Sequence, residues 1–436
     1  MKIKECSISI LMIGPINKNN LVSVSRNCRQ WRLNFPSSKI ILSISSSDLD
    51  NIDHIPINGI LGKAASNIKK ACDVITYCEV QMPLPPIKND SNSPNNVNLM
   101  ISSSKHGLNF VDSEYVLRIR SDAIFFSKKF IDFYEKRFLL PRSENSILKQ
   151  RVLIPQLYTL NPFSYERLPL HFGDWFHFGL AEDVRTIWDI PYMELADAEY
   201  YKYNKHNIIS NSSERKFYTK LAVEQYIIYN SLKKKNNNLN IEYHNDINAI
   251  KESIDILLDE FIICDLSDTH FHLEKYKSSI RSEEQEMHCL NSEVWEFLCH
   301  NRNEDYRSAI LSGFEKARKK EKKTYIPLDF NLVFDCMNLF IKNGSVENAN
   351  IVSYIKNGLI SYGPYIDLEA GNYEVCIHIN EIHGFGLCLF HCTADCQRIK
   401  LYKKYIFPFK SKKKVKFLLK INKNQKEIEF LVKSRY

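Results

Sequence analysis

The sequence predicts a doubly wound α/β domain, a helical connector and then an all-β sandwich or jelly roll. Three observations carry this. Strand-like and helix-like segments alternate through the first part of the chain, the mark of a largely parallel sheet covered by helices. Glu283 to Lys323 is charged and helix-patterned, without strand periodicity. Beyond Pro327, short strand-like runs recur between turn residues. The boundaries fall at 1–275, 276–325 and 326–436, as a 436-residue chain suits more than one domain.

The elements follow in order. Residues 6–13 (CSISILMI) are a buried first strand closed by Gly14–Pro15. The apolar stretch is short, serine-interrupted and without a small-residue cleavage site, so it is not read as a signal peptide. Ser23–Phe35 reads as a helix stopped by Pro36, and Lys39–Ser45 as the second strand of a βαβ unit. Met82–Asn98, rich in Pro, Asn and Ser, reads as loop, and Asn98–Asn109 as helix. Tyr115–Arg120 is a strand ending at Ser121–Asp122; Phe130–Phe138 is helical, and Val152–Pro155 and Phe261–Cys264 are strands. In the tail, strands are expected at 330–334, 358–360, 373–379, 386–391, 415–421 and 428–432.

Composition narrows the function. With 44% hydrophobic and 25% charged residues, the chain is neither a disordered polymer nor a membrane protein, and no stretch approaches the roughly 18–20 apolar residues of a span. The net charge of +8 suits a small anion such as a nucleotide diphosphate, or an acidic membrane face. No helix-turn-helix, finger or RNP-like pattern supports nucleic-acid binding. The basic runs Arg318–Lys323 and Lys410–Lys414 read as solvated surface. Twelve scattered cysteines read as free thiols in a reducing, cytoplasmic setting; Cys392 and Cys396 lack the second pair of a structural zinc.

Four segments carry candidate chemistry. The strand 117–122 (LRIRSD) delivers Asp122 to the crevice where open α/β sheets bind ligands. There Asp122 either holds a divalent cation or caps a turn. The block 172–179 (FGDWFHFG) sets Asp174 and Trp175 between Gly173 and Gly179: glycines admit close backbone approach, and rings stack on bases or sugars. Glu224, in a helix-like run, is either a general base or a solvated surface carboxylate. Residues 265–272 (DLSDTHFH) hold His270 and His272, read as ordinary histidines.

In this order the pieces resemble the WavE lipopolysaccharide synthesis family, over about the first 270 residues. The matching residues are Ile13-Gly14-Pro15, Asn95-Asn96-Val97-Asn98, Tyr115 to Asp122, Asp174 to Leu180 with Trp188–Pro191, and Glu224-Gln225-Tyr226. Leu99–Met100 departs from the expected Arg-Gln. The resemblance implies a GT-A-like, nucleotide-sugar-dependent glycosyltransferase of lipopolysaccharide or capsule synthesis. It would be cytoplasmic, with peripheral contact on the inner membrane face, and would act on a glycan or lipid-linked glycan. It implies Gly14, Pro15, Asn96, Asn98, Arg120, Asp122, Gly173 and Trp175 at the donor, Mn²⁺ or Mg²⁺ at Asp122, and Glu224 or Asp174 as base. Residues 357–375 (NGLISYGPYIDLEAGNYEV) resemble jelly-roll modules appended to polysaccharide transferases, implying a glycan-holding or assembly role. The rival expectation is a non-catalytic glycan-binding scaffold on a decayed transferase fold. A nucleotidyltransferase would need a Gly-rich phosphate loop, which residues 14–17 (GPIN) do not supply.

Overall fold

The computed structural model describes residues 2–52, 59–236, 239–266, 269–273, 288–302 and 305–318. In the tail it describes 340–342, 345–347, 350–353, 358–368, 370–380, 382, 387–395, 397–407, 413–423 and 425–435. The chain divides into two compact units: residues 1–54 with 68–322, and residues 55–67 with 323–436.

The first unit is built on β1 (Ile8–Ile13), β2 (Lys39–Ser45), β3 (Val74–Cys78), β4 (Tyr115–Arg120), β6 (Val152–Pro155), β7 (Phe176–Leu180) and β8 (Phe261–Cys264). The sheet order is β3-β2-β1-β4-β7-β6-β8. All strands run parallel except β7, which is antiparallel to both neighbours. A short antiparallel pair, β5 (Ala123–Phe125) with β9 (Phe271–Leu273), lies beside it.

Chain chemistry explains the exception. Parallel pairing needs a crossover, usually a helix, as α1 (Leu21–Asn34) supplies between β1 and β2. The residues between β6 and β7 form no helix, so the chain turns back and enters β7 from the edge where β6 ended. Ile119 therefore faces Phe176, and the start of β7 lies beside the end of β4.

β1 is buried along its whole length, as expected for a strand covered on both faces. Helix α3 (Val97–Leu108) packs so closely on β1 and β2 that a Cβ at Gly107 would lie 2.5 Å from Leu11 Cδ1 and 2.8 Å from Ser43 Cβ. Opposite it, Phe125, Phe130, Phe176, Phe178, Tyr115 and Tyr134 form an aromatic core, with Phe125 and Phe130 stacked at 4.5 Å. Helices α8 (Val223–Lys233) and α9 (Ile250–Glu260) precede β8. Helices α10 (Ser292–His300) and α11 (Tyr306–Arg318) follow, and α10 contacts β8 and α9 with Trp295 fully enclosed.

The second unit is all β. The strands β10 (Phe340–Ile341), β13 (Gly358–Tyr362), β19 (Gln425–Arg435), β16 (Leu387–Ala394) and β17 (Ile399–Ile406) form one sheet, with β14 (Pro364–Leu368) also on β19. β15 (Gly371–Ile379) and β18 (Lys413–Ile421) form an antiparallel pair. Phe390, Cys392 and Ile406 from the first sheet meet Val415, Phe417 and Leu419 from the pair in one core, which makes a sandwich.

The expected elements are largely found, with ends displaced by a few residues. β3, the connecting helix α2 (Gly59–Ala71), α9 and β17 went unpredicted; β3 is an edge strand, half-buried and without a long apolar run. The strand expected at 330–334 and parts of the connector, including 283–287 and 319–323, lie outside the described residues. Among those described, no helix is long and apolar enough to cross a membrane.

Because Gly107 touches the sheet directly, Gly107→Val is expected to destabilise the chain by about 1–3 kcal/mol through overpacking. Urea unfolding checks this, and an unchanged midpoint would mean that α3 can shift away.

Candidate active site

At the C-terminal edge of the parallel strands, three connections are pinned together. Ser121 N–H donates to Ile13 O at 2.7 Å, and Asn27 Nδ2 to Ser121 O at 2.9 Å. Gly14 takes φ +133°, and a Cβ there would sit 3.0 Å from Ser121 Oγ. Glycine thus serves both the left-handed backbone and the close approach. Ile16 N–H donates to Asp48 Oδ2 at 3.0 Å, which adds the end of β2 to the crevice. From β7's side, Trp175 O accepts from Arg120 N–H at 3.2 Å.

Asp122 is half-exposed here, and both its oxygens are engaged by Arg120: Nε to Oδ1 at 2.9 Å and Nη2 to Oδ2 at 2.8 Å. This fork-on-carboxylate pairing leaves a cation only the outer lone pairs of one ligand. No group of three His, Cys, Asp or Glu able to hold a metal occurs among the described residues. As it stands, Asp122 is engaged by Arg120, and a cation held there would have to share its carboxylate.

Beyond it, β7's entry and the loop before it converge with α8 on a largely enclosed acidic cluster. Asp174 is close enough for its charge to disfavour ionisation of Glu224. Burial pushes the Glu224 carboxyl above its usual range, nearby His171 pulls it down, and Asp174 pushes it up again. His171 Nε2 lies 3.3 Å from Glu224 Oε2. Its Nδ1 is 2.8 Å from Tyr158 O, and a carbonyl can only accept, so Nδ1 carries the hydrogen. Nε2 and the Glu224 carboxylate can therefore share one proton. Glu166, bonded by Lys88 and Ser213, completes the rim; burial works against its ionisation, but those two bonds hold its carboxyl below the usual range.

Underneath lies Arg118, fully buried in mid-strand. Its Nε donates to Ser104 Oγ at 3.0 Å, Nη1 donates to Asp174 O, and the guanidinium lies 3.8 Å over the Trp188 ring. Burial pushes Arg118 down to about 9, opposed by the Asp174 charge. His177 beside it stays neutral: burial and then Arg118 hold it well below its usual pKa, while Nδ1 accepts from Trp188 Nε1 at 2.8 Å.

The sequence-predicted residues separate accordingly. Gly14, Pro15, Arg120 and Asp122 gather at the crevice, and Asp174 and Glu224 meet in the acidic cluster. Asn98 lies elsewhere, its amide closed on Met193, donating to O at 3.0 Å and accepting from N–H at 2.7 Å. Asn96 is the exposed N-cap residue of α3. Gly173 allows a close crossing of its own chain, since a Cβ would lie 2.5 Å from Leu157 O. Trp175 is enclosed, edge-on to Tyr158 and stacked on Phe271. His270 pairs with Ser127, and Asp265 receives Ser292 N–H near the start of α10. Sequence reasoning missed Lys88, Glu166, His171 and Arg118. Two signals were available: a charged residue in mid-strand at Arg118, and His171 one position before the aromatic block.

Because burial opposes Glu224's ionisation, the folded state binds its proton more tightly than the unfolded chain. That contribution is present below the ordinary carboxylate pKa and is lost as pH rises through the raised one. Glu224→Gln is expected to be more stable than wild type near neutral pH by about 1 kcal/mol, with the difference closing near pH 4. Thermal unfolding between these pH values decides it, and a variant less stable throughout would mean that the His171 contact outweighs the cost of burial.

The family model described as WavE lipopolysaccharide synthesis matches residues 8–317, from β1 into α11. No curated protein matches the chain. Among solved structures, it aligns with an active-site mutant of LgtC at 8% identity and TM-score 0.26, covering 44% of this chain and 62% of that one. Galactosyltransferase LgtC, in complex with donor and acceptor sugar analogs, aligns at 7% identity and TM-score 0.27, covering 58% and 73%. The glycosyltransferase GlyE of Streptococcus pneumoniae TIGR4 aligns at 12% identity and TM-score 0.27, covering 72% and 65%. Likenesses this distant assign no activity to the chain. The family match spans most of it, including every strand of the seven-stranded sheet, and the chain belongs to the WavE lipopolysaccharide synthesis family.

Proposed function

We propose that the α/β unit transfers a sugar from a nucleotide-sugar donor to a growing lipopolysaccharide or capsule glycan, at the inner face of the cytoplasmic membrane. The observation that carries this reading is the Asp174–Glu224–His171 cluster, two of its members buried and Glu224 half-buried, close to an arginine at the C-terminal edge of the sheet. The donor's diphosphate would lie against Gly14 and Arg120, and the acceptor hydroxyl against Glu224. As that oxygen bonds to the donor's anomeric carbon, its proton passes to the Glu224 carboxylate. The bond from that carbon to the diphosphate breaks, and Arg120 meets the charge left on the leaving group. His171 holds Glu224 in place and shares its proton. Asp174, by disfavouring a second negative charge, raises the basicity of its neighbour.

The closure of Arg120 on Asp122 favours a second reading, a glycan-binding scaffold whose donor site no longer works. A thermal-shift screen against nucleotides and nucleotide sugars, with and without Mn²⁺, separates the two. Stabilisation by one nucleotide diphosphate without metal, lost in Arg120→Ala, is the expected result. Stabilisation that needs Mn²⁺ and is lost in Asp122→Ala would restore a metal at Asp122, and no response to any nucleotide would support the scaffold. With a donor identified, Glu224→Gln is expected to lower kcat by roughly 10²–10⁴ while donor binding is retained. Unchanged turnover would remove Glu224 from the chemistry.

A further inference from the structure

From Arg398 to Lys426 the sequence carries twelve Lys and Arg residues and no Asp or Glu. Part of this stretch is β18, whose inward residues Val415, Phe417, Leu419 and Ile421 are buried in the sandwich core. Strand alternation then turns Lys414, Lys416, Leu418 and Lys420 to the outside, where all four are exposed. Across the pair, β15 places His378, Cys376, Glu374 and Asn372 opposite them. Glu374 is the one carboxylate in this row, and Lys416 binds it at 2.8 Å. Lys404, from β17, reaches the Lys416 carbonyl at 3.4 Å and adds a further cation at the rim.

We propose that this outer face of the β15–β18 pair docks on an anionic lipid bilayer. Charge alone would serve any polyanion. The bilayer is singled out by an apolar side chain among the lysines: Leu418, in the middle of the row, is 62% exposed, and Phe407, just past the end of β17 in the other sheet, adds a second exposed apolar group at 69%. A soluble polyanion offers such groups nothing, whereas an interface takes up both the lysine heads and the apolar chains between them. The assignment stands apart from the transfer reaction, since it concerns the second unit and is read by binding alone.

The test is co-sedimentation of the full chain with vesicles of phosphatidylcholine, pure or with roughly a third phosphatidylglycerol. Binding is expected to the acidic vesicles only, and to weaken as salt rises. Each lysine is worth roughly fivefold in partitioning, so Lys414→Glu/Lys416→Glu/Lys420→Glu should reduce it at least a hundredfold or so. The gentler Lys→Gln triple variant guards against misfolding and should give a smaller loss, and Leu418→Ser should weaken binding with no change in charge. Acidic-vesicle binding that survives both triple variants would overturn the proposal. So would binding to a soluble anionic oligosaccharide with none to vesicles, which would make the face a glycan holder.

Discussion

Antiparallel pairing of β7 with β4 is the constraint on which the α/β unit's site depends. A parallel strand in that place would deliver its C-terminal end to the crevice. Reversed, β7 delivers its N-terminal entry instead, so that Trp175 meets Arg120, and Asp174, just before it in the chain, meets Arg118. The same reversal keeps residues 156–175 at that edge, and they carry Glu166 and His171 there. The pairing is supported beneath by Arg118, a β4 residue whose side chain binds the carbonyl of Asp174.

A buried guanidinium, a buried and a half-buried carboxylate and a buried imidazole are costly to hold together, because each loses much of its hydration. The surrounding chain makes this tolerable by fixing the loops that carry them. Gln225 Nε2 donates to Pro169 O at 2.7 Å and to His244 O at 2.8 Å, while Leu170 N–H donates to Ser253 Oγ at 2.7 Å. Leu170 and Tyr158, on either side of the His171 contact, both have positive φ (59° and 64°). Non-glycine residues keep that conformation only where the surroundings over-determine it. Two such residues thus brace the histidine that faces Glu224.

Several segments that carry the family resemblance prove to be braces. Asn98 closes on the Met193 backbone, and Tyr226 OH donates to Tyr192 O at 3.0 Å, so α3 and α8 hold the same stretch between them. Gln225 binds the loop before His171. Of these recognisable residues, Glu224 and Asp174 face the acidic cluster, and Gly14, Pro15, Arg120 and Asp122 the crevice.

The sequence by itself determined the two fold classes, the βαβ opening, the strand that ends at Asp122 and the aromatic block that enters β7. Apolar run length, turn residues and side-chain alternation are local signals, and they suffice for elements of this kind. Residue chemistry also marked Asp174 and Glu224 as candidates, although 49 residues of intervening chain hid their meeting. Only the tertiary structure decided that Arg120 closes on Asp122, that Trp175 belongs to the core, and that His171 rather than His270 or His272 joins the carboxylates. Each of these depends on which strand is reversed and which loop lies over it. Such contacts between distant segments follow from how the sheet is assembled, which no local pattern encodes.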